Sequence, residues 1–237
     1  MSPVSALALE AAGQWGLFTT EQAGRIGMDG KAVSALVAAG RVLATETEDV
    51  FRFAGAPIDV MLDPLRTSWL ALVPRKFLGE RVRGAKDGDW DDAVVSHVAA
   101  ANLVYELGTL QADRFEFSAI TPLPASDRIL EIHVRPRMPK WRFQNGLPVT
   151  TVPQTIADLY SEHIDYGHVG IVILDALLAS SADFLDITEE MDSITDGSGR
   201  AIVLHMLDVV GAPTRLVTAL VHLAEMKRES FRNPGGH

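Results

Sequence analysis

The sequence contains no cysteine. That absence excludes a disulfide framework, a thiolate zinc site, an iron–sulfur cluster and a cysteine nucleophile. Long hydrophobic runs are also missing. The longest apolar stretch, near Gly170–Ala179, is broken by Asp175 and falls well short of the roughly 18–20 residues that cross a bilayer. No membrane association is expected. The start, Met1-Ser2-Pro3-Val4, lacks a basic segment followed by an apolar one, so no signal peptide is expected and the reading is cytoplasmic. Excess positive charge is absent as well. Lys and Arg number 21 against 31 Asp and Glu, a net charge of −10, which by itself argues against nucleic acid as a partner.

What is present is a globular composition, 47% hydrophobic and 22% charged over 237 residues, enough for one or two domains. Charge is unevenly spread. Residues 1–57 carry net −2, residues 58–150 net 0, and residues 151–237 net −8. The middle third holds two basic clusters, Arg75, Lys76, Arg81, Arg83 and Lys86, then Arg135, Arg137, Lys140 and Arg142. Either they are solvated faces or they form a phosphate-contacting surface.

The first 57 residues read as three helices and a hairpin. Ser5–Trp15 is the first helix. Thr19-Thr20-Glu21-Gln22 opens a second, with a threonine hydroxyl for its N-cap, and it runs to about Ile26. Gly27–Gly30 is a turn capped by Asp29. Lys31–Ala39 is the third helix, with Val33, Leu36 and Val37 on one face and Gly40 at its C-terminal cap. Two short strands, Arg41–Ala44 and Val50–Phe53, flank a polar turn. This pattern is that of a winged helix-turn-helix. Lys31, Ser34, Ala35 and Ala38 face outward on the third helix, with no side chain suited to bidentate base readout. Arg25, Lys31, Arg41 and Arg52 are the expected phosphate contacts, and Ser34 a further contact.

Beyond residue 57, helices are expected at Pro64–Leu72 and from Pro74, and Val94-Val95-Ser96-His97 leads into another through Ala99 to Leu107. A charged loop is expected at Gly84–Asp92. Strands are expected at Arg114–Ala119, Leu130–Val134 and Gly146–Thr151. Pro122 and Pro124 rule out a two-residue hairpin between the first two strands. Helices follow from Val152, Tyr166, Thr188, Arg200 and Thr214. The fold class expected is α+β, a mixed α/β architecture with a winged helix-turn-helix at 1–57 and a small mixed sheet flanked by helices at 58–237.

Two stretches make the chain resemble the AbiEi-type antitoxins of type IV toxin–antitoxin systems. The first is Gly16-Leu17-Phe18-Thr19-Thr20-Glu21-Gln22-Ala23, with Gly27, Leu36-Val37, Gly40-Arg41-Val42-Leu43 and Val50-Phe51-Arg52. The second is Val95–Ala100, Leu107-Gly108 and the run Gly146–Leu159, reading GLPVTTVPQTIADL. Together they cover about residues 5–180. The resemblance implies a transcriptional autorepressor that binds inverted repeats of double-stranded DNA in its own promoter. It also implies an antitoxin opposing a nucleotidyltransferase toxin, without a stable complex. Two copies on the repeat would pair as a dimer. Three departures stand out. Glu48 and Asp49 lie in the wing, the third helix lacks arginine, and Lys86–Asp92 looks inserted.

No enzyme, metal or other cofactor is expected. Ser96-His97 lacks a nucleophile elbow, and neighbours at a helix start do not face each other; Ser96 reads as a cap. His163, Asp165 and His168 read as capping and surface residues. The carboxylates of 183–196 read as a solvated face without calcium-loop spacing. The alternative to a DNA-binding protein is an interaction module whose acidic C-terminal region docks a basic partner. A hydrolase using Ser96/His97 or His163/His168 is the third reading.

Overall fold

A computed structural model describes residues 1–86, 92–124 and 129–232. In chain order the elements are α1 (Pro3–Ala12), β1 (Leu17–Thr19), α2 (Thr20–Arg25), α3 (Gly30–Ala38), β2 (Val42–Ala44), β3 (Val50–Phe53), α4 (Asp63–Leu72), α5 (Leu78–Lys86), β4 (Val94–Val95), a π-helical turn (Ala99–Val104), β5 (Phe115–Ala119), β6 (Leu130–Val134), β7 (Trp141–Gln144), β8 (Leu147–Thr150), α6 (Val152–Ser161), α7 (Tyr166–Leu178), α8 (Phe184–Asp192), α9 (Gly199–Val209) and α10 (Thr214–Arg232). The architecture is mixed α/β with small sheets and flanking helices. Among the described residues, no helix is long and apolar enough to cross a membrane.

Contacts divide the chain into two compact units. One is Met1–Ala93 with Ser118–Met138, the other Val94–Phe117 with Pro139–His237. The division therefore falls at Ala93, not at the expected boundary after Pro57. The reason is packing. Phe77 belongs to the same core as Leu7, Phe18, Met28 and Val33, and the Trp69 indole on α4 donates to the Ala93 carbonyl.

In the first unit, α1 starts at Pro3, where a proline has no needed N–H to lose. It ends at Ala12, earlier than expected. β1 is a strand that pattern reading missed. It pairs antiparallel with β3, which pairs with β2, in the order β1-β3-β2. All three residues of β1 are buried. Phe18 from β1 lies against Phe51 and Phe53 of β3, ring centroids 5.7 and 5.1 Å away. Strand β3 buries alternate residues, Val50 and Arg52, as a period of two requires. β6 also belongs to this unit. It neighbours β5, whose last two residues lie in the same unit, and the chain leaves it with Arg135 N–H donating to Ala119.

In the second unit the strand order is β5-β4-β8-β7. β4 is parallel to β8, and β7 is antiparallel to it. β7 is a second missed strand. Asn145 and Gly146, both at positive φ, form its hairpin turn to β8, and Asn-Gly is the sequence such a turn favours. The apolar core cluster is mostly helical, built from Ile156, Leu159, Val172, Ile173, Phe184, Ile187, Met191, Val203 and Met206 among others. Gly170 lets α7 approach α9; a Cβ there would fall 2.5 Å from the Met206 carbonyl oxygen. α8 begins at Phe184 with Asp183 as its cap, not at Thr188 as expected. The expected Lys86–Asp92 insertion falls largely on residues 87–91, outside the described residues; α5 itself reaches Lys86.

Candidate nucleic-acid interface

The candidate interface is built on α2 and α3. Thr19 and Gln22 form a reciprocal capping box at the start of α2, two bonds that satisfy otherwise orphaned helix donors. Asp29 caps α3 by accepting the Ala32 N–H at 2.9 Å. Val33 and Leu36 point inward. Lys31, Ser34, Ala35 and Ala38 are exposed, so α3 presents the outward face expected of it. Arg41 is exposed at the end of the α3–β2 connection. In the turn between β2 and β3, the Thr20 hydroxyl donates to the Asp49 carboxylate at 2.9 Å. One of the two wing acids is thereby tied to α2.

Sequence reasoning missed how the 74–80 segment is held. Thr19 donates to the Pro74 carbonyl, Gln22 to that of Lys76 at 2.8 Å, and Arg25 to that of Arg75 at 2.7 Å. The Leu78 N–H donates to Gln14, whose amide donates in turn to Gln22 at 2.7 Å. These bonds dock the segment on α2, and Arg75 and Lys76 are exposed on it. So this basic cluster belongs with the helix pair rather than with a separate domain. Gln14 and Gln22, both buried, do the holding. Two glutamines eight residues apart carried no signal beyond the capping box itself.

Three of the expected contacts stand corrected or qualified. Arg52 is buried, its side chain 7% exposed, with its guanidinium bonded to Asp63 and to the Trp15 and Pro57 carbonyls. Arg81 is fully buried, paired through two nitrogens with Asp92 and lying over the Trp69 ring. Burial pulls its guanidinium below the ordinary arginine value, which the Asp92 charge opposes. Neither guanidinium is open to solvent. The physical reason is shared: Arg52 falls on the same strand face as Val50, and Arg81 lies one turn beyond Phe77, so both sit on core-facing positions. Arg25 is one-third exposed, but both its terminal nitrogens bond Glu80, at 2.6 and 2.8 Å. That fork holds the Glu80 carboxyl down at about 2.

Among the other candidates, Arg83 and Arg137 are exposed and Arg135 is half-buried, its Nε donating to Ser118 at 2.9 Å. In the second unit, Lys140 is 71% exposed but bonds the buried Glu190 at 2.6 Å. Arg142 is exposed, 5.3 Å from the Tyr105 ring centre. Counted by unit, the first carries 13 basic against 15 acidic residues and the second 8 against 16.

The polar residues set aside earlier are also placed. Ser96 Oγ and His97 Nδ1 lie 2.8 Å apart, so these neighbours do face each other, contrary to expectation, because His97 takes a left-handed φ of 53°. Both are buried, and a substrate would reach Oγ only if the surrounding structure opened. Asp165 caps α7, and His168 lies 3.3 Å from the Thr109 hydroxyl. The 183–196 carboxylates are not merely a solvated face: Asp183 caps α8, Asp192 accepts the Gly199 N–H, and Glu190 is buried with Lys140.

No protein-family model matches the chain, and no curated protein matches it. Among solved structures it is similar to the Rv2827c protein from Mycobacterium tuberculosis, at 17% identity and a TM-score of 0.46, over 90% of this chain and 78% of that one.

Proposed function

We propose that the chain is a DNA-binding transcriptional autorepressor and the antitoxin of a type IV toxin–antitoxin operon. The observation that supports DNA binding is the order α1-β1-α2-α3-β2-β3 with the sheet order β1-β3-β2, read as a winged helix-turn-helix with an exposed α3. In this reading α3 enters the major groove. Lys31 and Arg41, with Arg75, Lys76 and Arg83, contact phosphates. Few side chains on α3 read bases, so specificity draws on the pairing of two copies across an inverted repeat and on DNA shape. The antitoxin part, with a nucleotidyltransferase toxin as the opposed partner, rests on the GLPVTT–TIADL resemblance alone.

Gel-shift titration of the chain's own upstream DNA against salt tests this reading. About five phosphate contacts per copy predict a slope of log K against log salt near −4 to −5 per chain. Equal binding to a scrambled duplex at low salt would sink it. A second reading is favoured by the 8-to-16 charge balance of the second unit: that unit docks a basic protein. It predicts salt-sensitive co-purification with the neighbouring gene product and no operator shift.

A further inference from the structure

Among the described residues, the four most exposed large apolar side chains after Met1 all lie in the first unit. Val60 is 80% exposed, Leu9 68%, Ile58 67% and Met61 65%. Three of them fall within four consecutive positions, in the connection between β3 and α4. A soluble monomer rarely presents such a group without a partner for it.

Beside this protruding segment the surface recedes. A hollow of about 630 Å³ is lined by Ala8, Ala12, Gly16, Trp15, Phe53 and Ile58. Small residues open it. Ala8 and Ala12 are one helical turn apart on α1, and Gly16 leaves a gap where a Cβ would meet that of Ala56 at 2.2 Å. Trp15 forms one wall, held at a left-handed φ of 62°, a conformation uncommon for a bulky residue. Ile58 also borders a second hollow of about 290 Å³ that reaches Leu43, Val60 and Pro64.

The charges at this patch nearly cancel. Asp59 and Asp63 are met by Arg66, and Asp63 also by Arg52, which leaves Glu46 at the second hollow. In a chain of net −10, two copies meeting here would bring together a surface close to neutral. A two-fold interface is self-complementary, and a surface with both protruding and receding parts suits it, because each copy supplies both. The 58–61 segment and the Ala8–Ala12 hollow meet that condition.

We propose that this patch is the face through which two copies of the chain pair, the apolar side chains of the 58–61 segment of each copy seating in the α1 hollow of the other. Its use on an inverted repeat rests on the repressor reading. The test needs no DNA, so failure of the surface and failure of that reading are separable.

Sedimentation velocity of the full chain, up to about 100 µM, reads the result. The wild type is expected to shift from monomer to dimer with concentration. The double variant Ile58→Glu/Val60→Glu is expected to weaken the dimer by about 30-fold or more, as loss of central apolar anchors does. Both side chains are solvent-exposed, so its circular dichroism should match the wild type, as should its melting temperature at a concentration where both are monomeric. Ala12→Phe, which fills the hollow from the receding side, is expected to give the same loss. A wild type that stays monomeric at the highest concentration overturns the proposal. So does a dimer that survives both variants, or a monomer whose hollow binds 8-anilinonaphthalene-1-sulfonate and releases it in Ala12→Phe, which would make the hollow a small-molecule site.

Discussion

The two units place their charges differently. In the first, three arginines lie inside among the described residues: Arg52 against Asp63, Arg66 against Asp59 and Asp63, and Arg81 against Asp92. Two of them lie against tryptophan faces, Arg66 at Trp15 and Arg81 at Trp69. In the second unit the buried carboxylates among the described residues are Asp158 and Glu190, no arginine is buried among them, and the ion pairs described there keep at least one partner exposed, as in Lys140–Glu190 and Arg228–Glu189. Counting cations along the chain therefore overstates how many the first unit exposes. On the repressor reading, the exposed cations of the first unit open to phosphate, among the described residues, are Lys31, Arg41, Arg75, Lys76, Arg83 and Arg137.

The sharpest way to break this comparison is to remove one buried partner. Asp92→Ala leaves the Arg81 guanidinium uncompensated in the interior. A cost of about 3–5 kcal/mol is expected, since breaking a buried pair strands a charge. Urea denaturation followed by tryptophan fluorescence reads it. Arg81→Met/Asp92→Leu, which removes both charges, should recover most of that loss. The second unit should respond instead to shape. Gly170→Ala puts a methyl group where the Met206 carbonyl stands, and overpacking of this kind costs about 1–3 kcal/mol. In calorimetry its melting temperature should fall, while Gly27→Ala, which meets no neighbour within 4 Å but sits at a φ of 87°, should lose about 1 kcal/mol through backbone strain alone.

Glu80 offers a smaller effect with a defined pH window. Its folded value, about 2, lies below the ordinary 4.5 because Arg25 bonds the charged form. The Arg25–Glu80 pair therefore contributes above about 4.5, and its contribution is lost as pH falls through the interval down to about 2. With both partners about one-third exposed, the pair is worth about 1 kcal/mol at most. Glu80→Gln should flatten the acid limb of the stability profile over that interval. It should also release the Arg25 fork and tighten binding to operator DNA modestly, which a salt titration of anisotropy would show.

The helices, the hairpin and their caps were legible because their signals are local. Thr19, Asp29 and Thr151 act as the caps their positions suggest, though Thr188 does not, and Val33 and Leu36 face inward as the helical period requires, though Val37, expected on that face, is exposed. β1 escaped notice because three buried residues after a glycine show no alternation. β7 was masked by the basic residues around Trp141 and Phe143. Burial of Arg52 was readable in principle, since it shares a strand face with Val50, but a cation beside a proposed DNA surface invited the opposite reading. The docking of 74–80 on α2 depends on partners more than 50 residues apart in sequence, and no local pattern encodes that.

The central claim is that the exposed cations of the first unit, and not its buried ones, meet DNA. Salt-dependent anisotropy of the labelled upstream duplex with Lys31→Ala/Arg41→Ala tests it most directly. The account predicts that each removed cation lowers the salt slope by about 1 and weakens operator and scrambled DNA alike, with the fold unchanged by circular dichroism. A slope that matches the wild type would contradict it.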